Sequence, residues 1–429
     1  MQHSSFMNRE NLYFALFEQQ KEFEEEEFLV DREILNKTLK LTELKLPIVI
    51  TGVRRCGKSS LLKIIKNKLS LKDKEYFYVN FNDERLIGFA VEDFQKIMDF
   101  LIEQQYKEKC TLFVDEIQEA TGWEKWIDRI KTKHSIFITG SNSKMLSKEI
   151  STILTGRSLT LSLTPFNFTE FLTAKKITLK DWKIDAKKQA IIRSKFSEYL
   201  TAGGFPKRIL SKQEVIVKEL YDQILYRDII NRFPKSKEKS IKEISIYFLS
   251  NPSSLVSIRN ISKSAEIKNF LTVKSIIDSF ENAFLFFLIN KFDYSVRKQI
   301  QNPRKLYCTD NGFLTSLGFR MSEDKGRLLE NLVAIELKRR EKEIFYHSDK
   351  NECDFVLRDN NKITYAIQVC YDLNEKNRKR EFDGLFEAMN KFNLKTGIIL
   401  TNGQEEEIKI NSKRITIKPV WKWLLERLN

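Results

Sequence analysis

Cysteine is scarce in this sequence, and its arrangement argues against both a disulfide scaffold and a zinc site. Among 429 residues there are five cysteines, an odd number, and they are scattered without paired metal spacing. Such usage is typical of a reducing compartment, so we expect free thiols and a cytoplasmic location. The five are Cys56, Cys110, Cys308, Cys353 and Cys370.

Long apolar runs are missing as well. The strongest run, NAFLFFLIN at residues 282–290, is much shorter than the roughly 18 residues that indicate a membrane-spanning helix. The first residues, MQHSSFMNRENLYF, lack the cationic start and apolar block of a secretory signal. We therefore expect neither a signal peptide nor a membrane partner.

Acidic residues are the minority among the charges. Asp and Glu total 59 against 74 Lys and Arg, which gives a net charge of +15. This excess favours an anionic partner such as nucleic acid, although a basic surface that only keeps the protein soluble would show the same balance. The length and the 41% hydrophobic content predict several folded domains, each with its own core.

Short β-prone runs alternate with helical segments between residues 46 and 166. The runs are LPIVITG, YFYVNFN, TLFVDE, SIFITGS and SLTLSLTPF. This alternation predicts a parallel sheet with helices on its faces.

The segment GVRRCGKS at residues 52–59 fits the phosphate-binding pattern G-x-x-x-x-G-K-[ST], and it stands between a predicted strand and a predicted helix. In that context the glycines let the backbone wrap a phosphate of ATP, Lys58 neutralises β/γ oxygens, and Ser59 reaches Mg²⁺. Arg54 and Arg55 are either solvated or directed at a neighbouring subunit. The predicted cofactor-binding set is Gly52, Arg54, Arg55, Cys56, Gly57, Lys58, Ser59 and Ser60.

The strand TLFVDE at residues 111–116 ends in two carboxylates. Asp115 is predicted to organise the Mg²⁺ shell together with Ser59, and Glu116 to polarise the attacking water as a general base. The next strand ends in Ser141 and Asn142, and either side chain could hold the water or the γ-phosphate. A solvated turn is the alternative for both.

Arg157 follows a glycine in STILTGRSLTL, a place where a cation could reach a nucleotide across a subunit boundary. Such an arginine finger stabilises the transition state of phosphoryl transfer, and its presence would imply a homo-oligomer. An ordinary exposed arginine is the alternative. The predicted catalytic set is Glu116, Asn142 and Arg157.

These segments resemble the AAA-type ATPases of archaea and bacteria that carry a C-terminal domain of uncharacterised function. The resemblance rests on ITGVRRCGKSSLL, YVNFNDERL, LFVDEIQEATGWEKWI, FITGSNSKML and LTGRSLTLSLTPFNFTEFL, continues through YLTAGGFPK and LYRDII, and covers nearly the whole chain. It implies an α/β multidomain protein with a P-loop AAA-type parallel sheet, a helical lid, a winged helix and a C-terminal PD-(D/E)XK nuclease-like α/β domain.

Residues 238–295 indicate helix, short turn, helix and strand, the order found in helix-turn-helix proteins, and residues 270–283 would be the helix that lies on DNA. A packing module that touches only protein is the alternative. The predicted apolar side consists of Ile258, Ile261, Ile267, Val273, Ile276, Ile277 and Phe280. The predicted phosphate contacts are Arg259, Lys263, Lys268 and Lys274, with Ser275 beside them.

The segment NECDFVLRDNNKITYAIQVCYD at residues 351–372 has the layout of a metal-dependent nuclease hairpin and resembles the PD-(D/E)XK fold. By that resemblance Glu330 and Asp354 correspond to two of its acids. Gln368 and Cys370 stand where a second carboxylate and a lysine belong. Glutamine offers no negative charge and cysteine no cation, so the site departs from the family pattern.

Three further residues could repair this departure. Glu352 could add a carboxylate, and Lys376 or Lys379 on the next helix could replace the lysine. Because that repair depends on geometry, we predict a nuclease-like domain that binds DNA or protein but cuts little or nothing.

Two classes of function compete on this evidence. The first is an ATP-driven enzyme that binds duplex or branched DNA, and the second is a nucleotide-switched regulatory ATPase that recruits protein partners. An active metal-dependent nuclease coupled to ATP is a third, less favoured alternative. The predicted domains are an N-terminal helical segment (1–40), the ATPase core (41–166), a helical lid (167–237), a winged helix (238–298) and the nuclease-like domain (299–429).

Overall fold

The computed structural model divides into two compact units, Met1–Thr164 (unit 1) and Pro165–Asn429 (unit 2). Within the part of the chain that it describes, no helix is both long and apolar enough to cross a membrane. The five cysteines are buried free thiols, as the sequence predicts. The described residues are 7–25, 27–141, 158–211, 213, 215–319 and 324–426.

Unit 1 contains a five-stranded sheet and the helices around it. The strands are β1 (Ile48–Thr51), β2 (Tyr76–Asn80), β3 (Thr111–Asp115), β4 (Ser135–Gly140) and β5 (Leu159–Ser162). The helices are α1 (Arg9–Glu24), α2 (Leu35–Leu41), α3 (Lys58–Lys68), α4 (Asp93–Glu103) and α5 (Trp123–Ile130). The sheet order is β2-β3-β4-β1-β5 and every neighbouring pair is parallel, so the predicted parallel sheet is confirmed.

Helix α1 covers the outer edge of this sheet. An edge strand leaves backbone groups unpaired, and side-chain amides of α1 bind them here. Gln19 accepts a hydrogen bond from the Asn80 N–H (2.9 Å) and donates one to the Asn80 carbonyl (3.1 Å), while Gln20 donates to the Tyr78 carbonyl (2.5 Å). The N-terminal segment is therefore an integral part of unit 1. Its contribution to the apolar core is Met7, Leu12, Ala15 and Leu16.

Unit 2 begins with helices and continues into a nine-stranded mixed sheet. Its helices are α6 (Phe168–Ala174), α7 (Ala186–Ala202), α8 (Pro206–Ser211), α9 (Val215–Gln223), α10 (Glu238–Ser250), α11 (Ile258–Ser264), α12 (Phe270–Asn282), α13 (Val296–Gln301), α14 (Asn311–Leu317), α15 (Lys325–Arg339), α16 (Glu375–Lys391) and α17 (Val420–Leu425). Its strands are β6 (Leu255–Val256), β7 (Phe286–Lys291), β8 (Arg304–Cys308), β9 (Glu343–Ser348), β10 (Glu352–Asp359), β11 (Lys362–Val369), β12 (Thr396–Thr401), β13 (Glu406–Ile410) and β14 (Lys413–Pro419). The sheet order is β13-β14-β12-β11-β10-β9-β7-β8-β6.

Residues 238–308 contain the helices α10 to α13 and a small antiparallel sheet. Strand β8 pairs with both β6 and β7, and α13 lies in the connection between β7 and β8. Helix α12 corresponds to the predicted helix at 270–283. The predicted apolar side is buried, except that Ile258 is half-buried. The predicted domain limit between residues 298 and 299 falls inside α13 and would separate two paired strands, so the structure does not support a boundary there.

The predicted hairpin at 351–372 forms β10 and β11, which pair in antiparallel fashion. Asn360 and Asn361 make its turn with φ values of 47° and 66°. Tight hairpin turns favour positive φ at both central residues, and asparagine accepts that conformation. Strand β9 extends the antiparallel pairing on one side of β10, and β12 pairs with β11 in parallel after the crossover through α16. A helix, α15, precedes this group of strands.

Candidate nucleotide site and a carboxylate cluster

The predicted phosphate loop joins β1 to α3 at the carboxyl end of the parallel sheet. Gly57 adopts a φ of 102°, a left-handed conformation that a side chain would strain. A Cβ on Gly52 would lie 2.1 Å from the Leu163 carbonyl oxygen. Arg32, which precedes α2, donates to the Cys56 carbonyl at 2.9 Å and so holds the loop from outside. This geometry leaves the N-terminus of α3 directed at the loop, where an anion is favoured.

Lys58 is buried at the start of α3 and faces three acceptors. Its Nζ lies 3.1 Å from Glu116 Oε1 and donates to the carbonyls of Gly52 (3.2 Å) and Val53 (3.3 Å). Burial opposes the charge on Lys58, but the neighbouring groups, with Glu116 first among them, together outweigh burial and raise the lysine pKa. Burial also opposes ionisation of Glu116, yet Lys58 and other donors lower its pKa to about 2. Both groups are therefore charged at neutral pH.

Asp115 ends β3 and accepts hydrogen bonds from three hydroxyl groups. Ser59 donates to Oδ2 at 2.5 Å, Tyr78 donates to Oδ2 at 2.9 Å, and Thr139 donates to Oδ1. Thr139 also accepts the Glu116 N–H at 3.0 Å, which links the two acids. Burial, followed by the neighbouring Glu116, raises the pKa of Asp115. A carboxylate beside a serine hydroxyl supplies hard oxygen ligands, so these residues fit Mg²⁺.

The arginines of the loop and its last serine lie at the rim of this arrangement. Arg54 is half-buried with its guanidinium 3.8 Å from Glu119, and Arg55 is exposed with a φ of 58°. Ser60 lines a cavity beside Ser59. The central residues of the predicted set come together around Lys58. They are Gly52, Cys56, Gly57, Lys58, Ser59, Asp115 and Glu116.

Asp115 and Glu116 have polar neighbours that sequence reasoning missed. Two of them are Gln118 and Thr139. Gln118 donates to Glu116 Oε2 at 2.5 Å and to Ser141 Oγ at 3.4 Å, so Ser141 lies one contact away from the acid. A threonine inside the apolar strand SIFITG was the available signal for Thr139. The predicted catalytic residues Asn142 and Arg157 lie outside the described residues.

A second buried lysine, Lys305 on β8, gathers carboxylates in unit 2. Its Nζ lies 2.9 Å from Glu330 Oε1, 2.6 Å from Glu352 Oε1 and 2.8 Å from Asp354 Oδ1. Tyr307 on the same strand donates to Glu330 Oε1 at 2.8 Å. Burial, followed by Asp354, raises the pKa of Glu330 to about 7. Burial opposes the charge on Lys305, but the carboxylates outweigh it and raise its pKa well above the usual value.

From the sequence we expected no cation at the nuclease-like site. The contacts of Lys305 correct that expectation. Lys305 supplies a cation from a strand outside the hairpin, although Cys370 does stand at the end of β11. Gln368 accepts a hydrogen bond from the Asp354 N–H at 3.2 Å, and Asp354 Oδ2 accepts the Val369 N–H at 2.9 Å. The two lysines considered as substitutes are exposed on α16, and they are Lys376 and Lys379.

His347, Asp349 and Glu387 approach one another closely enough to share a metal ion. His347 Nε2 lies 3.0 Å from Glu387 Oε1. Asp349 is already paired with Lys291 (3.2 Å) and Lys391 (2.6 Å). Because a metal ion would compete with both lysines, we interpret this group as an ion-pair cluster.

The predicted DNA-binding cations lie on one stretch of unit 2. All four are exposed, and none forms an ion pair within the described residues. The same stretch also exposes Phe270 (55%) and Leu271 (74%) at the start of α12. The cations are Arg259, Lys263, Lys268 and Lys274.

Comparison with known proteins assigns the class of unit 1. Residues 45–172 match the model of a family described as an AAA domain. This range includes the parallel sheet, the phosphate loop, Asp115 at the end of β3 and Glu116 directly after it. Residues 45–172 are therefore similar to an AAA domain. Residues 193–324 and 325–423 match two domains of unknown function, DUF8612 and DUF4143.

Relatives that align over nearly the whole length define the family. The uncharacterized protein MJ1544 of Methanocaldococcus jannaschii is 36% identical across 98% of this chain and 97% of its own length, so this chain belongs to the same family. An uncharacterized protein of Haemophilus influenzae is 29% identical across 88% of this chain and 94% of its own. A structure of the replication initiator DnaA bound to AMPPCP and single-stranded DNA is 18% identical over 65% of this chain and 93% of its own, with a TM-score of 0.25. That score is too low to support an argument.

Proposed function

We propose that this protein binds ATP with Mg²⁺ and hydrolyses it. The observation that carries the proposal is the convergence of Lys58, Asp115 and Glu116 at one end of the sheet, with 3.1 Å between Lys58 and Glu116 and 2.5 Å between Ser59 and Asp115. The AAA domain match over residues 45–172 supports the same activity.

The chemistry of each residue defines its role in this proposal. The amides at the start of α3 and the ammonium of Lys58 hold phosphate oxygens, and phosphate competes with Glu116 for that ammonium. Ser59 and Asp115 hold Mg²⁺, which when bound neutralises charge on the phosphates. Glu116, once released by Lys58, accepts the proton of the attacking water. Gln118 orients its carboxylate through the 2.5 Å hydrogen bond.

Hydrolysis of ATP by the full chain in the presence of Mg²⁺ tests this proposal. We expect turnover in the wild type, and loss of both turnover and nucleotide binding in Lys58→Ala. Lys68→Ala is the matched control, because Lys68 ends the same helix and pairs with Asp31 instead of facing the loop. Turnover that persists in Lys58→Ala would contradict the assignment.

We further infer that residues 238–308 bind DNA phosphates. The specific observation is a group of four exposed cations that form no ion pair with any described residue, namely Arg259, Lys263, Lys268 and Lys274. Three helices followed by an antiparallel hairpin support a winged helix, a fold in which one helix lies against DNA.

Affinity for duplex and branched DNA at several salt concentrations tests this inference. Because neutralised phosphates release counterions, affinity should fall steeply as salt rises. An absence of binding at low salt would instead favour the regulatory ATPase, with Phe270 and Leu271 as protein contacts.

We propose that the C-terminal domain is nuclease-like but does not cut DNA. A helix, three antiparallel strands, a crossover helix and a parallel strand support the relation to the PD-(D/E)XK fold. Lys305 already pairs with Glu330, Glu352 and Asp354, so a metal ion would have to compete with a cation built into the chain. DNA incubated with Mg²⁺ or Mn²⁺ should stay intact. Cleavage that disappears in Asp354→Ala would contradict this proposal.

A further inference from the structure

Tyr78 connects helix α1 to the carboxylate of Asp115. The ring of Tyr78 is buried and stacks on Phe23 of α1, with 4.1 Å between the ring centroids and 10° between the planes. Its hydroxyl donates to Asp115 Oδ2 at 2.9 Å, and Ser59 donates to the same oxygen at 2.5 Å. One aromatic side chain therefore contacts both the N-terminal helix and the acid assigned to Mg²⁺.

The backbone of Tyr78 depends on the same helix. Gln20 of α1 donates to the Tyr78 carbonyl at 2.5 Å, and Gln19 forms two hydrogen bonds with the backbone of Asn80. These contacts fix the edge strand at Tyr78 itself and at Asn80, two residues further along. Helix α1 lies outside the AAA domain match at residues 45–172, so this support is an addition to that domain.

A cavity of about 150 Å³ lies between α1 and the beginning of α3. Phe23 and Tyr78 line it together with Ser59 and Ser60. The space is therefore bounded by α1 and by Ser59 and Tyr78, whose hydroxyl groups donate hydrogen bonds to Asp115. A displacement of α1 would change the packing of Tyr78 before it changed the phosphate loop itself.

We propose that Tyr78 is a positioning residue for the Mg²⁺-binding carboxylate of Asp115, and that α1 fixes Tyr78 in place. The inference rests on the proposed ATPase function. A carboxylate that binds a metal is oriented by hydrogen-bond donors behind it, and loss of such a donor typically lowers metal affinity by about 10- to 100-fold. Tyr78 provides such a donor without adding charge, and its stacking on Phe23 limits the rotation of the ring.

Tyr78→Phe removes the donor and keeps the stacked ring. The measurement is the Tm of the full chain with a non-hydrolysable ATP analogue at fixed concentration, titrated with Mg²⁺. We expect the Mg²⁺ concentration at half-maximal stabilisation to rise about 10-fold. The rate of ATP hydrolysis should show the same shift in Mg²⁺ dependence and should recover much of its maximum at saturating Mg²⁺.

Tyr76→Phe is the matched control. Tyr76 lies on the same strand and also contacts α1, but its hydroxyl donates to Glu24 Oε1 at 2.6 Å. Tyr76→Phe also removes one tyrosine hydrogen bond, but that bond goes to α1 and not to Asp115. The Mg²⁺ midpoint should therefore stay at the wild-type value. A purely structural role for β2 would shift both variants alike.

Phe23→Leu provides a second route if Tyr78→Phe does not fold. It removes the stacking partner while keeping an apolar side chain on α1, and the Mg²⁺ midpoint should rise about 3-fold because the hydroxyl is held less firmly. If the wild type responds normally to Mg²⁺ and the Mg²⁺ midpoints of Tyr78→Phe and Phe23→Leu are unshifted, the positioning role is overturned. The proposed ATPase function is not affected by that result. A wild type without any Mg²⁺-dependent rise in Tm would overturn the proposed function as well.

Discussion

Two buried lysines, one in each unit, stand beside carboxylates but differ in how many they contact. Lys58 has one carboxylate partner, Glu116, and otherwise faces the carbonyls of the phosphate loop. Lys305 lies within 3 Å of carboxylates from three different residues. Both ammonium groups are almost fully buried, with side-chain exposures of 3% and 2%.

The number of carboxylates determines whether each lysine can change partner. A phosphate can replace a single carboxylate and two neutral carbonyls around Lys58, because Glu116 keeps its hydrogen bond from Gln118. Removing Lys305 from its partners would leave Glu330 and Asp354 close together in a largely buried place without a cation, beside the more exposed Glu352, which is costly. The first arrangement suits an exchangeable ligand site, and the second suits a permanent ion-pair cluster.

The largest effect is expected for Lys305→Met. Lys305 contacts all three acids, so its removal should lower the free energy of unfolding by about 3–5 kcal/mol, the usual loss when one partner of a buried ion pair is removed. Chemical denaturation measures this loss. The control is Lys274→Met, which alters an exposed lysine and should change stability by less than about 0.5 kcal/mol. A loss below about 1 kcal/mol for Lys305→Met would contradict the comparison.

The same substitution at the other lysine should act on binding. Lys58→Met should weaken nucleotide binding by about 100-fold, equivalent to nearly 3 kcal/mol, because charge-assisted contacts to phosphate disappear. Its effect on the free energy of unfolding should be less than half that of Lys305→Met. Titration with a fluorescent ATP analogue and denaturation of the same sample measure both quantities. Equal destabilisation by the two variants would remove the distinction between the lysines.

Contiguous features of this chain could be predicted from sequence, whereas contacts between distant segments could not. The phosphate loop and the strand before Asp115 were found because spacing and apolar runs determine them locally. Lys305 was missed because RKLYC has the pattern of an ordinary strand, and its partners lie on α15 and β10. Lys305 and Tyr307 are two residues apart in the strand, which places both side chains on one face of it. That spacing was the available signal.

Tyr78 and α1 illustrate the same limit. The run YFYVN indicates a buried aromatic strand, whereas the role proposed for Tyr78 depends on its contacts with Phe23 and Asp115, which are distant in sequence. The hairpin at 351–372 was predicted correctly from the layout of that segment. The chemistry of its site was not, because Lys305 enters the cluster from β8.

A smaller, pH-dependent effect is expected for Glu330→Gln. The folded-state pKa of Glu330 is raised to about 7, so its contribution to stability is complete below the ordinary value of 4.5 and is lost as pH rises toward 7. Between pH 5 and pH 8, the free energy of unfolding of the variant should therefore rise by roughly 1–3 kcal/mol relative to that of the wild type. Denaturation at both pH values measures the change. The exposed Glu341→Gln should show no such trend, and a relative loss by Glu330→Gln would contradict the prediction.

The smallest effects concern the exposed cations of residues 259–274, which form no ion pair in the described part of the chain. Lys263→Ala and Lys274→Ala should each weaken DNA binding by a few-fold and reduce the slope of log affinity against log salt by about 0.9. Lys239→Ala is the control, because Lys239 is exposed on α10 but lies near Glu243. Unchanged slopes in both test variants would place the DNA-binding surface elsewhere or exclude it.

The central claim, that unit 1 hydrolyses ATP with Glu116 as the base, is tested most directly by comparing binding and turnover in Glu116→Gln. The amide keeps the shape of the side chain but cannot accept the proton, so ATP affinity should stay within about 3-fold while kcat falls by about 10²–10⁴-fold. Glu119→Gln, three residues further along, should keep normal turnover. Normal turnover in Glu116→Gln would contradict the account.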